Sequence, residues 1–257
     1  MGIDKHICII AAPDAYELYR LKNQRWRQED YHYLLNLNPH LLLPPKAAMI
    51  EVHHLNNSRS HRILWLLEEL QLPYEIIAYQ RDPVTSAAPP ALYKIHPLGK
   101  SPVIKDDDLV MAESGAIVEY LVGKYANGSL SPAIGTPAHA KYLYWLHFAE
   151  ASAMTQLILK LYFSRVPAAP PQLLERIDGQ IATQLDYMES ELAKHAYFAG
   201  DKFSAADIQM SFPIIAATAR GGLDQSRPNL MKYLASLQSR PAFIRADERG
   251  GKLSMGG

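Results

Sequence analysis

Cysteine is almost absent from this sequence of 257 residues, in which Cys8 stands alone. A single cysteine excludes an internal disulfide and a cysteine-based metal site, and its scarcity agrees with a reducing compartment. The N-terminus also lacks the pattern of a secretory signal, because Asp4 and His6 interrupt the apolar stretch early. We therefore expect a cytoplasmic protein without a bound metal.

Net charge and long apolar runs are lacking as well. The 26 basic residues balance the 26 acidic ones, so no overall field attracts nucleic acid or an anionic membrane. The longest apolar runs, such as 41–45 and 63–67, fall far short of the roughly 20 residues that a membrane-spanning helix requires. What the sequence does contain is 48% hydrophobic residues, which is ample for the buried core of a globular protein.

Residues 1–48 show no sustained strand or helix period. They are rich in Tyr, Arg, Asn, Gln and His and end in a stretch of Leu and Pro. An ordered pattern begins directly afterwards. We interpret residues 1–48 as an N-terminal extension that is poorly ordered or non-native, and Met49 as the start of the functional domain.

Strand and helix patterns alternate over residues 49–130. The predicted strands combine β-favouring residues with flanking turn signals: 49–55, 74–79, 102–105 and 109–111. Helices are predicted between Ser58 and Pro73, around 91–95, and in a segment that stops at Asn127–Gly128. The order βαβαββα predicts a mixed sheet with helices on both faces, which is the thioredoxin-like arrangement.

Residues 136–250 have a different character, because no strand pattern returns. The predicted helices share apolar residues at helical spacing: 137–163, 171–193, 205–219 and 229–239. We therefore expect an all-helical C-terminal domain. Ser204 and Asp207 form an S-x-x-D box before one of these helices, which we interpret as a structural cap and not as a catalytic pair.

The segment from His96 to Ile104 indicates a binding edge. Pro102 opens a strand, a position where a cis peptide bond in a tight turn is tolerated. Such a bond would turn the N–H and C=O of Ser101 outward, where they could pair with an extended, peptide-like ligand. A proline that only makes a turn is the alternative.

A second binding feature lies at 112–117, which opens a helix with a hydroxyl and exposed backbone donors at its start. This arrangement suits a carboxylate, with a purely structural helix cap by Ser114 as the alternative. Glutathione is a γ-linked tripeptide with an amide backbone in its middle and a carboxylate at its glutamyl end. One strand edge and one helix start can together grip such a ligand.

The chain resembles the glutathione S-transferases from Met49 to Gly251. Five segments carry the resemblance: 55–70, 95–102, 112–117, 203–208 and 240–251. The resemblance implies five glutathione-binding residues: Lys100, Ser101, Pro102, Glu113 and Ser114. His96 stands where many members of the family have Asn, so we expect it to serve in a turn or in packing.

The same resemblance implies a role for each residue. The backbone of Ser101 would hold the cysteinyl unit, Glu113 and Ser114 the glutamyl end, and Lys100 would lie near the glycyl carboxylate. Pro102 would be the cis proline. The resemblance also implies a homodimer and a small, mostly hydrophobic electrophilic substrate in a pocket between the two domains.

Thiol activation is the chemistry that such an enzyme must supply. A free cysteine thiol has a pKa of about 8.5, so little of it is nucleophilic at neutral pH. A hydroxyl at a helix start favours the thiolate through a hydrogen bond and the helix dipole. Ser58 fits, because it lies before the first helix and four residues before Arg62, as in the serine-using classes of bacterial and fungal members. Asn57 is the second choice, with Ser60, Asn56 or no such contact as further alternatives.

Transfer of glutathione to an electrophilic carbon is the activity that the resemblance implies, with peroxide reduction as a related use. A non-catalytic binding or interaction protein with the same fold is one alternative, and a glutathione-dependent isomerase or dehalogenase is another. The aromatic-rich helix 137–163 would border the electrophile's pocket, although we expect most of its aromatic residues in the core or in a dimer contact.

Overall fold

The computed structural model describes residues 49–255. The predicted N-terminal extension and Cys8 lie outside the described residues. Within them, four strands form one mixed sheet: β1 (Ile50–Leu55), β2 (Tyr74–Tyr79), β3 (Val103–Asp106) and β4 (Leu109–Ala112). Their order is β2-β1-β3-β4, with β1 parallel to β2 and the other neighbours antiparallel.

The connections between these strands follow from their directions. Helix α1 (Ser60–Glu69) joins the parallel pair β1 and β2, because parallel strands need a crossover. A tight turn suffices for β3 and β4, where Asp107 adopts a φ of 53° that aspartate tolerates without glycine. A 3₁₀ turn (Pro90–Lys94) precedes β3, and helix α2 (Ser114–Tyr125) follows β4. The predicted thioredoxin-like fold class is confirmed.

Six further helices make up the second part: α3 (Pro137–Phe148), α4 (Thr155–Phe163), α5 (Pro171–Leu192), α6 (Ala205–Arg220), α7 (Pro228–Gln238) and α8 (Pro241–Gly250). The predicted all-helical character is confirmed. Ala149–Met154 continues α3 into α4 as a π-helical segment, so helix 137–163 runs through as predicted but with a local change of winding. Such segments are frequent at functional sites.

Helix α8 was absent from the helices predicted by periodicity. It is short and carries many charged residues, and its stability comes from packing on α1. The ring of Phe243 meets Trp65 edge to face at 5.1 Å, and Arg240 pairs with Glu69 at 2.6 Å. At Gly250 an added Cβ would stand 2.2 Å from the side chain of α1 below it. These long-range contacts stabilise the helix, whose apolar face is limited to Ala242, Phe243 and Ala246.

Helix α6 is the centre of the core, with every residue from Ala205 to Ala217 buried. Asp207 near its start is fully buried and accepts hydrogen bonds from the N–H and hydroxyl of Ser204 at 2.8 and 3.0 Å. It also accepts from the N–H of Phe198 at 3.0 Å and the hydroxyl of Tyr233 at 2.6 Å. The S-x-x-D box is thus a structural junction, as expected.

None of the helices within residues 49–255 is long and apolar enough to cross a membrane. The same residues contain no group of three or more His, Cys, Asp or Glu placed to hold a metal ion.

Candidate active site

A cavity of about 270 Å³ opens between the chain that enters β3 and the start of α2. All five residues predicted to bind glutathione line this smaller cavity: Lys100, Ser101, Pro102, Glu113 and Ser114. The fold therefore brings the two motifs of the sequence to one place.

The strand edge is fixed by side-chain contacts to β1. The peptide bond between Ser101 and Pro102 is cis. The Ser101 hydroxyl donates to His53 O at 2.8 Å and accepts from the Leu55 N–H at 3.1 Å. The N–H and C=O of Ser101 have no backbone partner within residues 49–255, so both are available to an extended ligand.

The helix start presents a strained residue and a buried hydroxyl. Glu113 has φ 70° and ψ 107°, a region in which non-glycine residues are strained and which is frequent at functional sites. Its exposed side chain lines the smaller cavity. The buried Ser114 hydroxyl accepts from Arg62 Nη2 at 3.0 Å and Gln209 Nε2 at 3.3 Å. Because both partners donate, the Ser114 proton is free for a ligand in the cavity.

Arg62 is fully buried beneath this helix start. Its Nη1 donates to Gln209 O at 2.7 Å, and its Nη2 contacts both the Ser114 hydroxyl and the Glu150 carboxylate. Arg59 Nε donates to the other carboxylate oxygen of Glu150 at 2.8 Å. Burial opposes ionisation of Glu150, but the charges of Arg62 and Arg59 outweigh it and lower the pKa of that carboxyl. The pair ties α1 to the π-helical segment and holds Ser114 in place.

A larger cavity of about 550 Å³ adjoins the smaller one. Ser58 and Asn57 line the larger cavity, whereas Ser60 and Asn56 line neither. Three residues line both cavities and so mark where they meet: Arg59, Lys100 and Ser101.

The Ser58 hydroxyl ends a chain of hydrogen bonds that begins at α8. The C=O of Gly250 can only accept, so the proton on His54 Nε2 points to it at 2.9 Å. Burial lowers the pKa of His54, which favours the neutral ring, whose Nδ1 accepts from the Ser60 hydroxyl at 2.8 Å; Leu55 O is a more distant acceptor for the same hydroxyl at 3.3 Å. Ser60 Oγ in turn accepts from the Ser58 hydroxyl at 2.7 Å. The Ser58 proton is therefore donated inward, to Ser60.

The other residues considered for thiol contact differ in access. Asn57 is exposed, and its Oδ1 accepts from the Ser254 N–H at 2.9 Å, which leaves its side-chain N–H groups for the larger cavity. Ser60 is fully buried, and the Asn56 side chain accepts from the backbone at Arg81. Ser58 and Asn57 remain the two candidates.

Comparison with known proteins decides the family. The family models for the glutathione S-transferase N-terminal and C-terminal domains match residues 47–123 and 151–241. Glutathione S-transferase 3 of Schizosaccharomyces pombe is 40% identical over 215 residues, which cover 78% of this chain and 88% of the relative. Glutathione S-transferase 1 of Saccharomyces cerevisiae is 31% identical over 227 residues, or 80% and 97% of the two chains. The chain belongs to the glutathione S-transferase family.

Solved structures of glutathione S-transferases agree. One from Actinobacillus pleuropneumoniae superposes with a TM-score of 0.75 and 34% identity over 80% of this chain and 95% of its own. Another, from Phanerochaete chrysosporium and in complex with oxidised glutathione, has a TM-score of 0.69 and 26% identity, and the match covers 80% of this chain and 98% of its own. The family resemblance predicted from the motifs is confirmed, and this chain is a glutathione transferase.

Sequence reasoning named five residues of the smaller cavity, and Ser58 and Asn57 of the larger one, but missed what supports them. In the sequence, only its spacing from Ser58 marks Arg62, and no motif marks its partner Glu150. One signal was present, since Glu150 is the only acidic residue in 137–163, and an isolated carboxylate on an apolar helix calls for a buried partner. His96 lies in a turn, where its C=O accepts from the Gly99 N–H at 2.9 Å, and it lines neither cavity.

The helix 137–163 contributes one aromatic residue, Tyr162, to the larger cavity. Tyr142 and Trp145 are buried in the core, whereas Tyr144 and Tyr162 are exposed. Met154, from the π-helical segment, lines the larger cavity together with Ile158, Leu161 and Tyr162 from α4.

Proposed function

We propose that glutathione occupies the smaller cavity and presents its sulfur to Ser58, where the larger cavity holds the electrophile. One observation carries this proposal: the five predicted binding residues line one cavity, and two of them, Lys100 and Ser101, also line the cavity that contains Ser58. The oxidised glutathione bound to the Phanerochaete chrysosporium relative supports it.

Each end of the tripeptide has a matching group. The N–H and C=O of Ser101 pair with the cysteinyl amide in the manner of an added strand. The Glu113 carboxylate accepts from the glutamyl ammonium, while the Ser114 hydroxyl and the first N–H groups of α2 donate to the glutamyl carboxylate. Lys100 attracts the glycyl carboxylate.

Ser58 and the start of α1 stabilise the sulfur as thiolate, and the thiol proton passes to solvent. The thiolate then forms a C–S bond with an electrophilic carbon, and a leaving group departs with the electron pair of the bond that breaks. Lowering the thiol pKa by two needs about 2.7 kcal/mol, which a hydroxyl donor and a helix dipole can supply together. Reduction of a peroxide by the same thiolate is a related activity.

Replacement of Glu113 with Gln tests the binding site. Loss of a charge-assisted hydrogen bond should weaken glutathione binding about tenfold, without a change in the free energy of unfolding. Calorimetric titration and retention on immobilised glutathione measure the binding. Glu119→Gln is the control, because Glu119 is exposed on the same helix and lines neither cavity. Equal affinity in the two variants would refute the assigned role of Glu113.

We also propose a cytoplasmic homodimer, in which the first domain of one subunit packs on the helical domain of the other, as the family resemblance implies. Size-exclusion chromatography with light scattering measures the assembly.

The functional unit is assigned to 49–130 and 136–250, so a chain that begins at Met49 should retain glutathione binding. An insoluble or inactive product would show that residues 1–48 belong to the functional domain.

A further inference from the structure

The larger cavity has an unusual charge composition. Five of its lining residues are cationic, and none of its lining residues within 49–255 is acidic: Arg59, Arg81, Lys100, Arg165 and Arg220. Two of these cations have anionic partners in the site as proposed, since Arg59 pairs with Glu150 and Lys100 faces the glycyl carboxylate of glutathione. Within residues 49–255, the other three cations, all arginines, have no carboxylate partner.

Neutral groups alone contact these three side chains in the described part of the chain. The Arg81 guanidinium donates to the carbonyls of Asn56, Asn57 and Ser86 at 3.0 to 3.3 Å. Arg220 Nη2 donates to Met255 O at 3.2 Å. Arg165 is exposed and makes no side-chain hydrogen bond or ion pair within residues 49–255. Backbone carbonyls orient a guanidinium without neutralising its charge.

The three arginines come from separate elements and repel one another. Arg81 follows β2, Arg165 follows α4, and Arg220 ends α6. Burial, followed by the charges of Arg220 and Arg59, lowers the pKa of Arg81, and burial together with Arg165 lowers the pKa of Arg220. An anion between them would relieve this repulsion, and the planar guanidinium fork matches carboxylate and phosphoryl oxygens.

Apolar side chains form one part of the remaining wall of the larger cavity, beside hydroxyl and amide groups such as those of Ser58, Asn57 and Thr85. Met154, Ile158 and Phe212 line it from the helical domain, and residues 251–255 close one side through the Ser254 N–H and the Met255 C=O. A ligand that fits has an apolar body and an anionic oxygen group. We propose that the electrophile of this transferase carries a carboxylate or phosphoryl group, which Arg81, Arg165 and Arg220 bind. The inference rests on the proposed function, because it places the electrophile in this cavity.

Matched aromatic substrates test the inference. With 4-chloro-3-nitrobenzoate, the thiolate forms a C–S bond at the chlorine-bearing carbon and chloride leaves with the C–Cl electron pair. 4-Chloro-3-nitrobenzamide undergoes the same reaction without the charge. After division by the uncatalysed rates, kcat/KM should favour the benzoate about tenfold, and this preference should fall as the salt concentration rises.

Substitutions assign the preference to residues. Arg165→Gln and Arg220→Gln should each reduce the ratio of benzoate to benzamide several-fold. Arg176→Gln is the control, because it removes the same charge from an exposed position on α5 outside both cavities. A ratio near one in the native protein, or a ratio that neither cavity variant changes, would overturn the inference.

Binding without reaction separates the two proposals. 3-Nitrobenzoate and 3-nitrophenylphosphonate lack the leaving group, and in calorimetry each is compared with 3-nitrobenzamide on the glutathione-loaded protein. Tighter binding of either anion than of 3-nitrobenzamide supports the anion site and shows which anionic group it prefers. If that result comes without conjugation of any substrate, the proposed function fails and the anion site stands. Equal binding of all three overturns the anion site, even if both chlorinated substrates are conjugated.

Discussion

Replacement of Ser58 with alanine tests how much its hydroxyl contributes to thiolate formation. The Ser58 proton is donated to Ser60 at 2.7 Å, so it must leave that partner before it can donate to the glutathione sulfur. Loss of the neutral hydrogen bond costs about 1 kcal/mol, and a bond to charged sulfur contributes about 2 kcal/mol. The net gain of about 1 kcal/mol corresponds to about 0.7 in pKa. We expect Ser58→Ala to raise the thiol pKa of bound glutathione by only that amount.

Replacement of Ser60 with alanine should have the opposite effect. Without its internal acceptor the Ser58 hydroxyl is free, so no bond is lost when it turns to the sulfur, and the thiol pKa should fall by about 0.7. Each variant lacks one hydroxyl from the same chain, which makes it the control for the other. Ser60→Ala also deprives His54 Nδ1 of its donor, so its free energy of unfolding is measured in urea as well.

The thiolate absorbance of bound glutathione, titrated across neutral pH, measures both effects. An equal rise of the thiol pKa in the two variants would refute the direction of the hydrogen-bond chain. An unchanged pKa in Ser58→Ala would move the sulfur contact to Asn57, and Asn57→Ala would then raise it.

Three further predictions concern stability. Arg62→Met leaves Glu150 without its buried partner and should lower the free energy of unfolding, measured in urea, by about 3 kcal/mol. In the unsubstituted protein the folded-state pKa of Glu150 is lowered. Its free energy of unfolding should therefore decline as the pH falls below the ordinary carboxyl pKa and then through the folded-state pKa of Glu150. Asp207→Asn removes a carboxylate that accepts four hydrogen bonds and should cost about 2 to 4 kcal/mol in the same assay, whereas a loss below about 1 kcal/mol would contradict its structural role. Gly250→Ala should cost about 1 to 3 kcal/mol, because the methyl group would overlap α1, while Gly123→Ala, at an open position of α2, should stabilise the protein by about 0.5 to 1 kcal/mol.

The sheet and the smaller cavity could be predicted because their signals are local. β2 was predicted with its observed bounds, Tyr74–Tyr79, since β-forming residues there lie between Pro73 and a Pro-rich connection. Residue type alone indicates a strand edge at Ser101–Pro102 and a helix start at Ser114. Their meeting in one cavity follows from the family fold.

The features that could not be predicted depend on residues far apart in the chain. The partners Arg62 and Glu150 are separated by 88 positions, and His54 and Gly250 by 196. Neither pair leaves a periodic trace, because each consists of single polar groups whose burial is compensated only after folding. The direction in which Ser58 donates its proton is likewise decided by a carbonyl at the end of α8, which periodicity did not predict.

That contact between His54 and Gly250 has a consequence for the biosynthesis of the protein. The N-terminal part of a chain leaves the ribosome first and generally begins to fold there. The strand edge and helix start that line the smaller cavity are complete by residue 125, but the proton order from His54 to Ser58 is set only when residue 250 has been added and α8 has docked. A chain that stops before residue 250 would therefore lack the contact that directs the Ser58 proton, even where the strand edge and the helix start are already formed.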